Sequence, residues 1–315
     1  MTTPKQQNAQ ATATANRTLD YFLAHIPKAG GYYAYRMLNT FLNASPDIVE
    51  GMAKRRKLPK SEQYKVPVET FCNNGVQFYL DNFHNSLKGR NCTIQMDEVW
   101  PRKKIEGRKN GPLFPRSQIA HKYVIVRDPL SHVLSMFFHC TDHAGRAHLM
   151  PSMDEWLNSW ANARGNQTKA RQNQMYRCYE PIDFQANYLE FDPAKGQGKD
   201  FLKNSFDILG DFNRLQKSIC AIFIKYKGEV PKECDCTDQG RRLGFERKGN
   251  EAHGVTHHGS SFNVTDEQRK LILEDIRPMD VKLYPIVQEV FQEQVEELEK
   301  EHNFVMCEKF RTVTD

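Results

Sequence analysis

The chain has 315 residues, 39% of them hydrophobic and 26% charged, a composition ordinary for a folded soluble protein and unlike that of a disordered chain. Its formal charge of +5 suits anionic ligands but falls short of the dense basic stripe of a nucleic-acid binder, so no nucleic-acid partner is expected. Apolar runs such as Ile219 to Ile224 are far below the roughly 20 residues of a membrane-spanning helix, so no span is expected in this chain.

Residues 1–18 are rich in Thr, Ala, Gln and Asn and lack the hydrophobic stretch of a secretory signal. They predict a disordered tail, followed by one domain over 19–315. As written, the chain reads as cytoplasmic. Eight cysteines and N-x-S/T sequons beginning at Asn16, Asn43, Asn91, Asn166 and Asn263 would suit an oxidising, glycosylating compartment instead. Cys234 and Cys236 form a C-x-C pair and the other cysteines stand singly, without the paired spacing of a zinc ribbon. The expectation is a mixture of buried thiols and disulfides, with no metal.

Asp20 to Ile26 is a short apolar run bounded by Pro27 and the pair Gly30–Gly31, the pattern of a buried strand leaving a sheet. A helix should follow, with Tyr35, Leu38, Phe41 and Leu42 at helical spacing until Ser45 and Pro46. Basic stretches over 51–65 and 101–116 read as surface loops. Between them, Cys92 to Trp100 predicts a strand that presents Asp97 and Glu98 near its end.

Lys122 to Val126 predicts a second buried strand, and Pro129 suits the first turn of a helix reaching about His139. Helices are predicted over 153–163, 169–179 and 213–225, with a short strand over 206–210. The polar, glycine-containing loop from Cys234 to Ser261 carries Arg241, Arg242, Arg247, Lys248, His257 and His258, and little in it would order it alone. Thr265 is an N-cap candidate with Gln268 as its capping-box partner, and Pro278 and Pro285 should break or bend the closing helix.

Ala24 to Tyr35 reads A-H-I-P-K-A-G-G-Y-Y-A-Y and holds the parts of an anion cradle: a strand end, Lys28, two glycines and a helix start. Glycines let backbone approach a phosphate, and a helix N-terminus points N–H groups at it. The order of glycine and lysine does not fit G-x-x-x-x-G-K-S/T, which disfavours a P-loop kinase. A second constellation, Y-V-I-V-R-D-P-L-S-H-V-L-S-M-F-F over 123–138, sets Arg127 at a strand end and Ser135 on the helix that follows. A guanidinium there can fork onto a phosphate and a hydroxyl can add a neutral donor.

H-I-P-K-A-G-G resembles the 5′-phosphosulfate loop of the sulfotransferases that use 3′-phosphoadenosine 5′-phosphosulfate (PAPS), closest to the Golgi heparan sulfate O-sulfotransferases. The segment over 123–138 resembles the same family's 3′-phosphate motif, with Arg127 and Ser135 at its arginine and serine. Looser resemblance runs through 171–175, F-D-I-L-G-D-F-N-R-L over 206–215 and D-V-K-L-Y over 280–284. The family's loop continues with a small hydroxyl residue where this chain has Tyr32 and Tyr33. Its second arginine is replaced by His132, and a histidine often serving as base aligns with Gln95.

The resemblance implies an α/β fold, with a P-loop-like central parallel sheet flanked by helices in a single sulfotransferase domain. It implies transfer of a sulfuryl group from PAPS, without metal, to a hydroxyl of a glycan or a small molecule. Lys28, Ala29, Gly30, Gly31, Tyr32, Tyr33, Arg127 and Ser135 would then hold the nucleotide, and Lys28 would also stabilise the leaving phosphate. From its own composition, and not from the resemblance, the polar loop over 241–261 with Arg247 and Lys248 is expected to close over that nucleotide. For the base, Asp97, Glu98 and His84 are the candidates; Asp97 lies on the face of Gln95 in a regular strand. The alternative is a catalytically weak nucleotide- or carbohydrate-binding protein on the same scaffold. A lumenal Golgi location is the alternative to the cytoplasm if an anchor has been removed.

Overall fold

The computed structural model describes residues 19–24, 26, 29–30, 33–34, 37–38, 40–41, 53, 57, 59, 71–77, 94–99, 119–142, 150–165, 179–237 and 263–308. The tail expected over 1–18 and nearly all of the loop expected over 234–261 lie outside the described residues, as do the basic stretch over 101–116 and most of that over 51–65.

Among the described residues five strands form one parallel sheet: β1 (Leu19–Ala24), β2 (Phe71–Gln77), β3 (Ile94–Val99), β4 (Ile119–Val126) and β5 (Ile208–Asp211), in the order β2-β3-β1-β4-β5. β4 alternates its burial between two layers: Tyr123 and Ile125 belong to one core cluster, Val124 and Val126 to another. Ile208 and Leu209 of β5 divide the same way. At β4 and β5 the sheet is therefore covered on both faces, as parallel sheets require.

The fold matches the sequence expectation of a parallel sheet flanked by helices. β2 was not legible: Asn73, Asn74 and Gly75 are turn-forming residues with poor strand propensity. β2 pairs with β3 through a register shift between Asn73 and Val76, which absorbs an extra residue as a bulge.

Besides the helical residues that follow Gly30, seven helices are described from end to end: α1 (Pro129–Asp142), α2 (Met153–Ala163), α3 (Phe184–Tyr188), α4 (Lys199–Ser205), α5 (Leu215–Lys227), α6 (Asp266–Lys270) and α7 (Pro278–His302). On one face Ile219, Ile222 and Phe223 of α5 pack with Phe291 and Val295 of α7. Burying each such side chain contributes about 1.5–3 kcal/mol. On the other face Met136 of α1, Phe184 of α3 and Leu283 and Val287 of α7 pack on Val124 and Val126. α1 turns its remaining apolar side, Val133, Leu134 and Phe137, to Trp156 and Trp160 of α2.

The helix boundaries follow their caps. Ser152 accepts from the Glu155 backbone N–H, and Glu155 returns a bond to the Ser152 N–H. Thr265 and Gln268 form the expected box at the start of α6. α6 then runs into a π-helical turn, Leu271–Ile276, closed by Arg277 N–H donating to the Ile272 carbonyl. The break expected at Pro278 falls there: the π-helical turn ends at Ile276 and Pro278 opens α7 at its first position.

Pro285 does not break α7, which continues to His302. Pro285 is exposed, and so is Val281, whose carbonyl a proline at 285 leaves without its helical donor, so water can reach that carbonyl. Of the helix expected over 169–179, residues 169–178 lie outside the described residues, and Tyr179 is irregular. α3 and α4 were not foreseen; they are short and carry little periodicity.

Two disulfides are described, Cys220–Cys234 and Cys236–Cys307, and Cys140 is also disulfide-bonded. None of the described cysteines is a free thiol, so the expected mixture is corrected toward disulfides. Together with the Asp235–Met306 bridge, they staple the turn after α5 to that helix and to the chain beyond α7. Cys236 and Cys307 are 71 residues apart, so their bond restricts a long loop in the unfolded chain. Replacing both by serine is expected to cost about 2–4 kcal/mol in urea denaturation. An unchanged midpoint would contradict that role.

Candidate functional site

The order β2-β3-β1-β4-β5 sends the chain from β1 toward one edge of the sheet and from the adjacent β4 toward the other. Such a divergence opens a crevice outside the carboxyl ends of the two strands, the usual ligand position in open α/β sheets. β1 and β4 run in register with Ala24 opposite Val124. The glycine loop after β1 and Arg127 after β4 therefore emerge side by side, although about a hundred residues separate them in sequence.

The loop turns sharply. Ala29 N–H donates to the Ile26 carbonyl at 3.1 Å, and Gly30 takes a left-handed φ of +78°. Ala34 N–H then donates to the Gly30 carbonyl at 3.0 Å, so a helix begins just past Gly30, and Ala34, Met37, Leu38 and Phe41 are buried along it. A Cβ at residue 30 would lie 2.8 Å from the ring of Phe212. Only glycine meets both constraints. The first turn of a helix presents N–H groups without intrahelical acceptors, and here that turn opens at the strand end.

Arg127 follows Val126 and is buried, with 6% of its surface exposed. Its guanidinium lies 4.3 Å from the centroid of the Phe212 ring, and its Nε donates to Ser131 Oγ at 3.0 Å. Burial pushes its pKa down to about 10, with Asp128 opposing the shift, so it stays cationic at neutral pH. A partly desolvated cation held by a ring and a hydroxyl is suited to an anion.

Asp128 and Pro129 shape the turn, with Pro129 in the first turn of α1 as expected. Asp128 Oδ1 accepts from Ser131 N–H at 2.9 Å and its carbonyl accepts from His132 N–H at 2.9 Å, which makes Asp128 the cap of α1. Ser131, Ser135 and His139 recur every fourth residue and are only half-buried, while positions 132–134 and 136–138 are buried. Ser135 thus shares the face of α1 that Ser131 turns to the Arg127 guanidinium. His132 is fully buried and meets the Phe184 ring edge-on at 5.9 Å, so it is a core residue and no substitute for a ligand-binding arginine.

The third contribution comes from β5. Its last residue, Asp211, pairs with Val126, and its buried carboxylate caps the 3₁₀ turn Phe212–Arg214 by accepting from Asn213 N–H at 2.9 Å. Tyr284 donates its hydroxyl to Asp211 Oδ1 at 2.7 Å; burial, then this bond, pushes the phenol's pKa upward. This arrangement sets Phe212 between Gly30 and Arg127. The sequence reading missed Phe212 and Ser131 as site residues, though both stand inside segments it singled out.

Tyr33 occupies one of the positions where the resemblance implies a small hydroxyl. Its side chain is exposed and its hydroxyl accepts from Gln216 Nε2 of α5 at 3.4 Å. On the other flank of β1, β3 pairs without a break from Ile94 to Asp97, which sets Asp97 opposite Ala24 and Glu98 one residue further on, opposite Val76 of β2. The bulge in that region lies in β2, leaving β3 regular as far as Asp97. Lys28, Gly31, Tyr32, His84, Arg247 and Lys248 lie outside the described residues.

Among the described residues no cluster of His, Cys, Asp and Glu has the makings of a metal site, and no helix is long and apolar enough to cross a membrane. No protein-family model, curated protein or solved structure matches the chain.

Proposed function

We propose that the chain is a PAPS-dependent sulfotransferase acting on a hydroxyl of a glycan or a small molecule. The observation that carries this reading is the convergence of two motifs distant in sequence: the Gly30 turn and buried Arg127 meet across Phe212 at the switch point of the sheet. A nucleotide with phosphate at both ends needs two anion contacts spaced along one crevice. The loop helix supplies the first, for the 5′-phosphosulfate, and Arg127 with Ser135 supplies the second, for the 3′-phosphate.

In the proposed reaction the acceptor oxygen attacks sulfur in line as the bond from sulfur to the bridging 5′-phosphate oxygen breaks. The acceptor's proton passes to a base, and the leaving phosphate keeps the bonding electrons beside Lys28. Asp97 is the favoured base because its backbone lies opposite the last residue of β1, next to the loop. The described disulfides support an oxidising compartment over the cytoplasm for this activity.

Arg127→Ala tests the nucleotide site. It is expected to weaken binding of adenosine 3′,5′-bisphosphate by about tenfold or more in calorimetry, since a charge-assisted contact to phosphate contributes roughly 1.5–3 kcal/mol. Unchanged affinity would remove the 3′-phosphate assignment. One observation favours the alternative of a catalytically weak binder: the Tyr33 phenol is engaged with Gln216, so the contact expected from a small hydroxyl at that position must come from backbone.

A further inference from the structure

Gln185 is fully buried at the second position of α3, 58 residues from Arg127 in sequence, and spends its whole amide on that residue's backbone. Its Oε1 accepts from Arg127 N–H at 2.8 Å, and its Nε2 donates to the Arg127 carbonyl at 2.7 Å. The pair of bonds copies the exchange a neighbouring strand would make, at the point where β4 has ended. An amide side chain is suited to this task because it holds a donor and an acceptor side by side.

The clamp is itself held from behind. Asp280, in the first turn of α7, accepts from Gln185 N–H at 3.3 Å and from Ala186 N–H at 2.7 Å, one bond to each carboxylate oxygen. Asp280 is ion-paired to Arg277, which is also fully buried and donates to Met136 Sδ of α1 at 3.1 Å. Asp183, at a left-handed φ of 40°, accepts from Met279 N–H at 2.7 Å and pairs with Arg164 at 3.0 Å. Both ends of the link between α3 and α7 are thereby bonded, and Gln185 is held through its backbone N–H as well as its amide.

We infer that Gln185 is a positioning residue for Arg127, setting the angle at which the guanidinium meets the 3′-phosphate and so the selectivity for a 3′-phosphorylated nucleotide. This rests on the nucleotide site proposed above. The side-chain direction of Arg127 follows from its backbone, since a residue beyond the last strand pair is otherwise free to rotate. Phe212 and Ser131 hold the guanidinium end; Gln185 holds the backbone end.

The test compares adenosine 3′,5′-bisphosphate with adenosine 5′-monophosphate, which lacks the 3′-phosphate, by calorimetry on the full chain. Gln185→Met keeps the length and removes both bonds. It is expected to weaken the bisphosphate by about tenfold or more while leaving the monophosphate within about twofold. In the Arg127→Ala background it should have no further effect on the bisphosphate, because the group it positions is gone. Gln185→Asn shortens the side chain by one methylene and draws the amide back from Arg127 without adding charge, so it reports the same selective loss should the methionine variant fold poorly. Equal losses for both nucleotides, or none, would overturn the positioning role while the nucleotide site stands. If the parent itself binds the two nucleotides equally, the 3′-phosphate site is wrong and the inference falls with it.

Discussion

Lys28→Ala is expected to lower sulfuryl transfer by about 100- to 1,000-fold, the usual loss when one group facing developing negative charge is removed. Binding of the desulfated nucleotide should fall far less. The reason lies in when the charge appears: the bridging oxygen is neutralised by sulfur in the ground state and gains charge only as the bond to sulfur breaks. A cation aimed there is worth most in the transition state, so its loss appears in kcat rather than in affinity. In sequence Lys28 stands between Ile26 and Ala29, whose backbone bond closes the turn that leads to Gly30. Equal losses in turnover and nucleotide affinity would assign the lysine to ground-state binding instead.

Asp97→Asn is expected to reduce transfer by about 100- to 10,000-fold with nucleotide affinity preserved, the range for loss of a positioned general base. The amide keeps the size of the carboxylate but cannot take the acceptor's proton at neutral pH. Glu98→Gln should have the smaller effect, since β3 keeps its regular pairing with β1 as far as Asp97. A larger loss from Glu98→Gln would move the base one residue along β3. Near-parental turnover in both variants, measured with the true acceptor, would make His84 the next residue to replace.

The parts of the fold legible in the sequence are those whose signals are local. The strand ending at Val126, the Asp128–Pro129 helix start, and the Thr265–Gln268 box are each declared by a few adjacent residues, and all three form as expected. β2 was invisible because Asn73, Asn74 and Gly75 argue for a turn, and only pairing with β3 makes them a strand. α7 runs through Pro285 on a stretch where Val281 and Pro285 are both exposed, so water is at hand for the carbonyl that loses its donor.

The candidate site divides the same way. Gly30 and Arg127 were legible because a glycine turn and a strand-end arginine each carry local chemistry. Their shared neighbour Phe212 was not, because an aromatic after a strand reads as core until the topology of β1, β4 and β5 brings three strand ends together. Gln185 gave no signal at all. A glutamine between a phenylalanine and an alanine is unremarkable in sequence, and its role arises from a contact 58 residues away. His132 shows the converse: at the position of a ligand-binding arginine in the resembled family, it points into the core against Phe184.

The central claim is tested most directly by incubating the chain with PAPS labelled in its sulfuryl group and a panel of glycan and small-molecule hydroxyl acceptors. The account predicts labelled sulfate ester on at least one acceptor, formed one for one with adenosine 3′,5′-bisphosphate and lost in Lys28→Ala. Tight binding of adenosine 3′,5′-bisphosphate with no label transferred to any acceptor would contradict it and leave a nucleotide-binding protein in place of an enzyme.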